Sequence, residues 1–171
     1  MNIDITNNIN IRLASSNDID AILDILHKAA VWMHENGITN QWMPGNAYKD
    51  RDYYISTIEQ KQFYIASFNN ESVGVFLIRW SDKDIWGEDH SRCGYIHHLA
   101  IDREFAPKGL GDQLLQWAEN KIKISGKSHV RLDCISANVK LNQYYLDKGY
   151  TLIKLYQYDD GKMGKLYEKS V

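Results

Sequence analysis

The chain opens on an alternation. Ile9, Ile11 and Leu13 are apolar with polar residues between them, the period of a strand that buries one face. After Ser15-Ser16-Asn17-Asp18, a run of capping side chains, the period changes: Ile19, Ile22, Leu23, Ile25, Leu26, Ala29, Ala30 and Met33 recur at helical spacing until Gly37. The next segment, Ile38-Thr39-Asn40-Gln41-Trp42-Met43-Pro44-Gly45, mixes turn residues with aromatics and has no period, and residues 50–58 turn helical again, which predicts an irregular helical flap. Residues 62–68 and 72–80 are β-branched and aromatic on either side of Asn69-Asn70-Glu71, the pattern of an antiparallel hairpin.

A polar, Asp-rich loop at 81–91 leads to an apolar strand at 93–101, and residues 102–108 carry the chain into a helix starting near Gly109. That helix shows Leu110, Leu114, Leu115, Ala118 and Ile122 on one face and closes at Gly126 before a strand at 130–135, so the whole reads as a βαβ unit. Asn138 opens a short helix through Leu141, Tyr144, Tyr145 and Leu146 that ends at Gly149, and a hairpin of residues 150–158 and 166–168 turns around Asp159-Asp160-Gly161. Antiparallel strands early and one crossover late predict an α/β (α+β mixed sheet) fold, a central mixed sheet flanked by helices on both faces. No linker, repeat or low-complexity stretch divides the 171 residues, which predicts a single domain over 1–171.

Composition narrows the function. Hydrophobic residues make up 44% and charged residues 25%, an ordinary globular mixture rather than a disordered one. A net charge of -2 supplies no broad attraction for nucleic acid or anionic membrane, so neither is an expected partner. The first residues hold no basic and apolar leader pattern, and no later run approaches the ~18 apolar residues of a membrane span, so a cytoplasmic protein is expected. Cys93 and Cys134 stand far apart without CxxC pairing and read as reduced thiols on packed strands. No His/Cys/Asp/Glu group has workable ligand spacing, so no metal is expected.

The candidate chemistry sits at two places. Lys108, Gly109, Leu110, Gly111 and Asp112 stand where a strand-loop enters a helix, so free backbone N–H groups and the positive helix end point at whatever lies above; glycines allow close approach and Lys108 adds a charge. The second cluster runs from Asn138 to Tyr150. Together they resemble the GNAT superfamily of acetyl-CoA-dependent N-acetyltransferases. In that family a Leu-Ala-Val-like strand end, here Leu99-Ala100-Ile101, precedes a pyrophosphate loop of the form Arg/Gln-x-x-Gly-x-Gly/Ala, and a helix beginning at Asn carries a Tyr before a Gly-aromatic end, as Asn138, Tyr145 and Gly149-Tyr150 do here. One departure is visible: Ala106 occupies the Arg/Gln position, where Lys108 or Arg103 would have to supply the cation.

The resemblance implies transfer of an acetyl group from acetyl-CoA to a primary amine of a small molecule by direct attack. It places the cofactor on Leu99, Ala100, Ile101, residues 108–112, Asn138 and Tyr145, with Tyr145 as the acid that protonates the departing thiolate and Tyr144 as the neighbour packed on the sheet. His97 and His98 lie on the strand bordering the acceptor. Adjacent residues of a regular strand face opposite sides, so the two would not share a pocket; His97 is the favoured base, with His98 or Glu88, Asp89 and His90 as alternatives. Trp32, Glu35 and Trp42 of the flap, with His34 and Tyr48 nearby, either form an aromatic, acidic wall for a cationic amine or pack helix against loop. A homodimer is what such relatives imply.

Two other readings compete. Gly109-x-Gly111 with Asp133 some twenty residues on has the outline of a dinucleotide site, but Leu114 replaces the third glycine, the loop before the glycines is too long, and antiparallel hairpins precede the unit. The second is a catalytically silent GNAT-fold module that binds CoA or another ligand.

Overall fold

The computed structural model describes residues 8–88 and 90–171. Their elements are β1 (Ile9–Leu13), α1 (Ile19–Glu35), α2 (Asn46–Lys49), α3 (Arg51–Glu59), β2 (Phe63–Phe68), β3 (Glu71–Arg79), α4 (Lys83–Trp86), β4 (Cys93–Ile101), α5 (Leu110–Ile124), β5 (His129–Ile135), α6 (Val139–Asp147), β6 (Thr151–Gln157) and β7 (Met163–Ser170). The strands form one seven-stranded sheet in the order β1-β2-β3-β4-β5-β7-β6, antiparallel throughout except for β4 and β5. This is the mixed sheet the sequence predicts.

Each long helix covers one face. Alternation along β2 and β3 sends Phe63, Ile65, Val75 and Leu77 toward Ile22, Leu23 and Leu26 of α1 and Tyr54 and Ile58 of α3. Tyr64, Ala66, Phe76 and Ile78 point the other way, onto Leu110, Leu114, Leu115, Ala118 and Ile122 of α5. A Cβ on Gly74 would come within 2.7 Å of Leu114 and one on Gly94 within 2.7 Å of Ile122, so α5 lies against the sheet where these strands have no side chain. Both cysteines are free and buried, on β4 and β5 as expected.

Local chemistry fixes the connections. Asp18 accepts from both Arg12 guanidinium nitrogens at 2.8 Å and from the Ser15 amide at 2.7 Å, which ties β1 to the start of α1. Asn69 and Asn70 both have positive φ, 51° and 68°, the two-residue turn whose twist suits a hairpin. The loop expected at 81–91 contains one turn of helix, α4, because Trp86 is buried beneath the Arg131 guanidinium at 4.2 Å.

The sheet is not regular everywhere. Leu77 pairs with His97 but Val75 pairs with Ala100, so three steps of β4 oppose two of β3, and His98, with φ 53°, absorbs the extra residue in a bulge. On its other edge β4 pairs with β5 only over Cys93 to Tyr95 against His129 to Arg131. Beyond that point the parallel strands separate, and the gap opens into the main cavity.

Candidate active site

The cavity has a volume of about 700 Å³ and is lined by the separated ends of β4 and β5, the start of α5, α6, the flap and the tip of the β6–β7 hairpin. It lies outside the carboxyl ends of the two parallel strands, where open α/β sheets hold their ligands. Most of the residues singled out in the sequence meet here: Leu99, Ala100, Ile101, Gly109, Gly111, Asp112, Asn138, Tyr145, His97, Trp32 and Trp42 all line it.

Three do not. Lys108 is exposed outside the cavity wall. Leu110 turns its side chain into the core with Leu114, one helical turn on, and its amide is already bonded to the Pro107 carbonyl at 3.1 Å. Glu35 is exposed on the last turn of α1, since two residues past the buried Met33 a helix has rotated about 200° away from the core.

At one end the wall is backbone. Gly109 has φ +82°, and a Cβ on Gly109 or Gly111 would meet nothing within 4 Å, so the glycines leave open space above the helix start. Among the described residues the amides of Gly111 and Asp112 have no backbone acceptor, while Leu110 and Gln113 do. Unsatisfied N–H groups at the positive end of a 15-residue helix fit a diphosphate. The β4 backbone from Ile96 to Ile101 has no β5 partner and offers its groups to a chain lying along the gap. Asn138 caps α6 by accepting from the Leu141 amide at 3.2 Å, and its amide donates to Gln41 of the flap at 2.8 Å, so flap and α6 meet across the cavity.

At the other end the wall is side chain. His97 Nε2 is buried 3.0 Å from Asp82 Oδ2, and its Nδ1 lies 3.7 Å from Asp133 Oδ1. Tyr158 donates to Asp133 Oδ2 at 2.5 Å. A Cβ on Gly164 would stand 2.5 Å from the Tyr158 ring, so the absence of a side chain there lets the ring lie over β7 and reach Asp133. Burial raises the Asp133 carboxyl above its usual range, opposed by His97 and Tyr158. One ligand-type atom from each of Asp82, His97 and Asp133 lies within 4.8 Å of the others, a grouping of a kind that holds metals. Sequence spacing gave no sign of this cluster because its members come from a loop and two different strands.

Strand alternation also fails here. His97 and His98 both line the cavity, because the bulge turns His98 onto the same side: its ring stacks on Trp42 at 5.9 Å and meets Tyr53 and Tyr54 of α3. Burial pushes the His98 imidazole down to about 3, so it stays neutral among the aromatics. Of the alternative bases, Glu88 and His90 are exposed and outside the cavity lining, and Asp89 lies outside the described residues.

The two tyrosines of α6 exchange the expected roles of packing and exposure. Tyr145 is the more buried, packed on Tyr150 and Tyr167, and burial raises its hydroxyl well above the usual tyrosine value. That hydroxyl has no hydrogen-bond partner among the described residues, although the residue lines the cavity. Tyr144 is half-buried and donates to Asp112 at 2.7 Å, and Lys148 also holds that carboxylate at 2.7 Å. Asp133, Tyr158, Asp82 and Gln41 were not singled out for this site. Only Asp133 had drawn notice, as the possible acid of a dinucleotide site.

A sheet split between two parallel strands, with an anion-ready helix start on one side and a histidine between carboxylates on the other, is the frame of an acyl-transfer enzyme that uses a phosphorylated carrier. The model of the acetyltransferase (GNAT) family matches residues 22–150. An uncharacterized N-acetyltransferase, YesJ, of Bacillus subtilis is 31% identical over 160 residues, 90% of this chain and 86% of that protein. The S-(2-succino)cysteine N-acetyltransferase of the same organism is 26% identical over 113 residues, 65% of this chain and 64% of that one. The solved PaiA N-acetyltransferase of Thermoplasma acidophilum in complex with coenzyme A superposes with a TM-score of 0.73 at 16% identity, covering 95% of this chain and 99% of that one. The chain belongs to the GNAT acetyltransferase family. It is an acetyl-CoA-dependent acetyltransferase.

Proposed function

We propose that the chain acetylates the primary amine of a small molecule, with His97 as general base and Tyr145 as general acid, in one cytoplasmic domain. The observation that carries this reading is the position of His97 in the strand gap between Asp82 and Asp133. Acetyl-CoA, when bound, supplies an activated acyl group on a thiol of pKa about 8.5. The Gly111 and Asp112 amides would hold its diphosphate, and the free edge of β4 with Asn138 its extended arm.

The acceptor arrives as an ammonium and must lose a proton before it can attack. Nε2 of His97 is buried against Asp82, which leaves Nδ1 to take that proton, and the resulting imidazolium sits between two carboxylates. A second proton leaves the nitrogen as the new amide forms. Tyr145 gives its hydroxyl proton to the departing sulfur and regains one from the nitrogen, so tyrosinate never persists, as the raised pKa of this buried phenol requires. Trp42, Gln41, Asp133 and Tyr158 line the acceptor end, a wall suited to a small cationic amine. A relative named for acetylating S-(2-succino)cysteine supports a small amino-acid-like acceptor over a protein.

The test is thiol release from acetyl-CoA across polyamines, amino acids, S-substituted cysteines and lysine peptides, beside thermal unfolding with acetyl-CoA, CoA and NADH. A CoA-selective rise in melting temperature with turnover of a small amine supports the proposal. A rise without turnover of any amine would leave the silent CoA-binding module, and turnover confined to peptides would reassign the acceptor.

A further inference from the structure

The bulge in β4 brings to the cavity a ring that the acid–base chemistry above does not use. His98 has φ 53°, a left-handed conformation that residues other than glycine rarely hold without cause. It places the ring on the cavity wall beside His97, with the two ring centroids 6.5 Å apart. Aromatic neighbours hold it there: Trp42 of the flap stacks on it at 5.9 Å, and Tyr53 and Tyr54 of α3 stand at 6.0 and 5.6 Å. His97 sits between two carboxylates, whereas the His98 ring has no ion pair and no hydrogen bond among the described residues.

The two nitrogens of that ring are not equivalent. Nδ1 is sealed from solvent and has no hydrogen-bond partner. A proton there would be a buried donor without an acceptor, which costs more than a bare acceptor in the same place. The proton therefore sits on Nε2, the ring nitrogen that is not sealed, and the cavity wall presents a neutral N–H donor. Such a donor is completed by an oxygen that accepts, not by a second ammonium. A nitrogen held at Nδ1 of His97 and an oxygen held at Nε2 of His98 then belong to one small molecule that spans the two rings, as the amine and the carbonyl oxygen of an α-amino acid or its amide do.

We infer that His98 determines acceptor specificity: its Nε2–H donates to a carboxylate or amide oxygen attached at the carbon that bears the reacting amine, and so selects such acceptors over plain alkyl amines and polyamines. This rests on the function proposed above, with His97 at the amine. The bulge makes the pair possible, since in a regular strand the two rings would lie on opposite faces.

The test compares wild type with His98→Phe, which keeps a ring in the aromatic stack and removes the donor, and with His98→Gln, whose amide nitrogen reaches toward the place of Nε2. The acceptors are S-methylcysteine, its amide, and methylthioethylamine, which is the same molecule without the carboxyl group. Each variant is read as a ratio to wild type on the same acceptor, so that intrinsic amine reactivity cancels. In His98→Phe, kcat/KM for the two oxygen-bearing acceptors is expected to fall about ten-fold, the worth of one hydrogen bond, and that for methylthioethylamine to stay within about two-fold, with CoA affinity unchanged. His98→Gln should recover most of the loss. A loss with the amino acid alone assigns the oxygen to a carboxylate, and a loss with its amide alone or with both assigns it to a carbonyl oxygen of either kind; each supports the inference. Equal losses with all three acceptors would reduce His98 to packing, and no loss would remove it from the acceptor site, so either overturns it. Heteronuclear NMR of the histidine rings in wild type gives a readout that needs neither variant nor acceptor: the Nε2–H form is expected for His98, and the Nδ1–H form would overturn the inference. Wild type that acetylates methylthioethylamine but neither oxygen-bearing acceptor overturns the inference and leaves the proposed function standing, whereas turnover of no amine at all overturns both.

Discussion

On one side of β3 the ladder is continuous apart from a single register shift at Ala66/Ser67, and on the other it comes apart. From β1 to β3 the strands pair almost residue for residue under α1, and the shape is held by apolar burial together with caps such as the Arg12–Asp18 contact. From β3 to β5 the ladder has a bulge in β4, then only three paired positions between β4 and β5 and a gap, and every side chain proposed for chemistry borders that gap. The regular half provides stability and can tolerate change at its surface. The irregular half leaves backbone groups unpaired so that ligands can use them, and places its side chains by single geometric accidents such as a left-handed residue or a missing Cβ.

Breaking this contrast should be simplest at His97. His97→Gln keeps a polar side chain between the carboxylates but removes the ring nitrogen proposed to take the amine's proton, and kcat/KM for the amine should fall about 10²- to 10⁴-fold while CoA affinity holds. An unchanged pH–rate profile and rate would move the base elsewhere. Tyr145→Phe removes an unpartnered hydroxyl from a packed ring, so kcat should fall roughly ten- to a few hundred-fold with little change in the CoA dissociation constant and in melting temperature. Comparable losses in CoA binding would instead make Tyr145 a cofactor contact.

A smaller effect should come from Gly164. In Gly164→Ala the new methyl overlaps the Tyr158 ring, which must leave Asp133; the KM of the amine should rise about ten-fold, the worth of one hydrogen bond to a charged group, with kcat less affected. Tyr158→Phe should reproduce that rise, and a normal KM in both would remove Tyr158 from the acceptor wall.

The smallest effect belongs to the regular half. Asp18→Asn should cost about 1 kcal/mol, or roughly 2–4 °C in melting temperature for a chain of this size, and leave turnover intact. The Arg12 guanidinium holds the Asp18 carboxyl well below the usual carboxylate range, so its contribution is complete above the unfolded pKa near 3.9 and is lost as pH falls through the depressed folded value. The gap between Asp18→Asn and wild type should therefore be constant at neutral pH and close in strong acid. Unfolding scans at several pH values read this directly, and a gap that widens in acid would be the wrong sign.

Much of this was open to reading in the chain itself. Element order, the mixed sheet, the helix faces, the Asn69-Asn70 turn, the glycines at the head of α5 and Asn138 at the head of α6 all follow from local rules, because period, capping and positive φ depend on residues a few places apart. Those rules also located one end of the cavity, whose wall is backbone with a glycine signature. They failed at His98, where alternation predicts opposite faces and a bulge puts both histidines on one side. They failed as well at Glu35 and Lys108, whose charge suited the expected chemistry but whose position on the helix or turn faces solvent.

What tertiary structure alone decided is the company each group keeps. Asp82, His97, Asp133 and Tyr158 are spread over 77 positions, on two strands and two loops, and Arg103 meets Trp32 from 71 residues away, so no spacing could announce either grouping. The sequence determined which segments bury and which turn, since hydrophobic period and backbone preference act locally. Register, bulge and strand separation are set by how seven strands and two helix layers fit at once, and it is that fit which turns separate polar residues into a site.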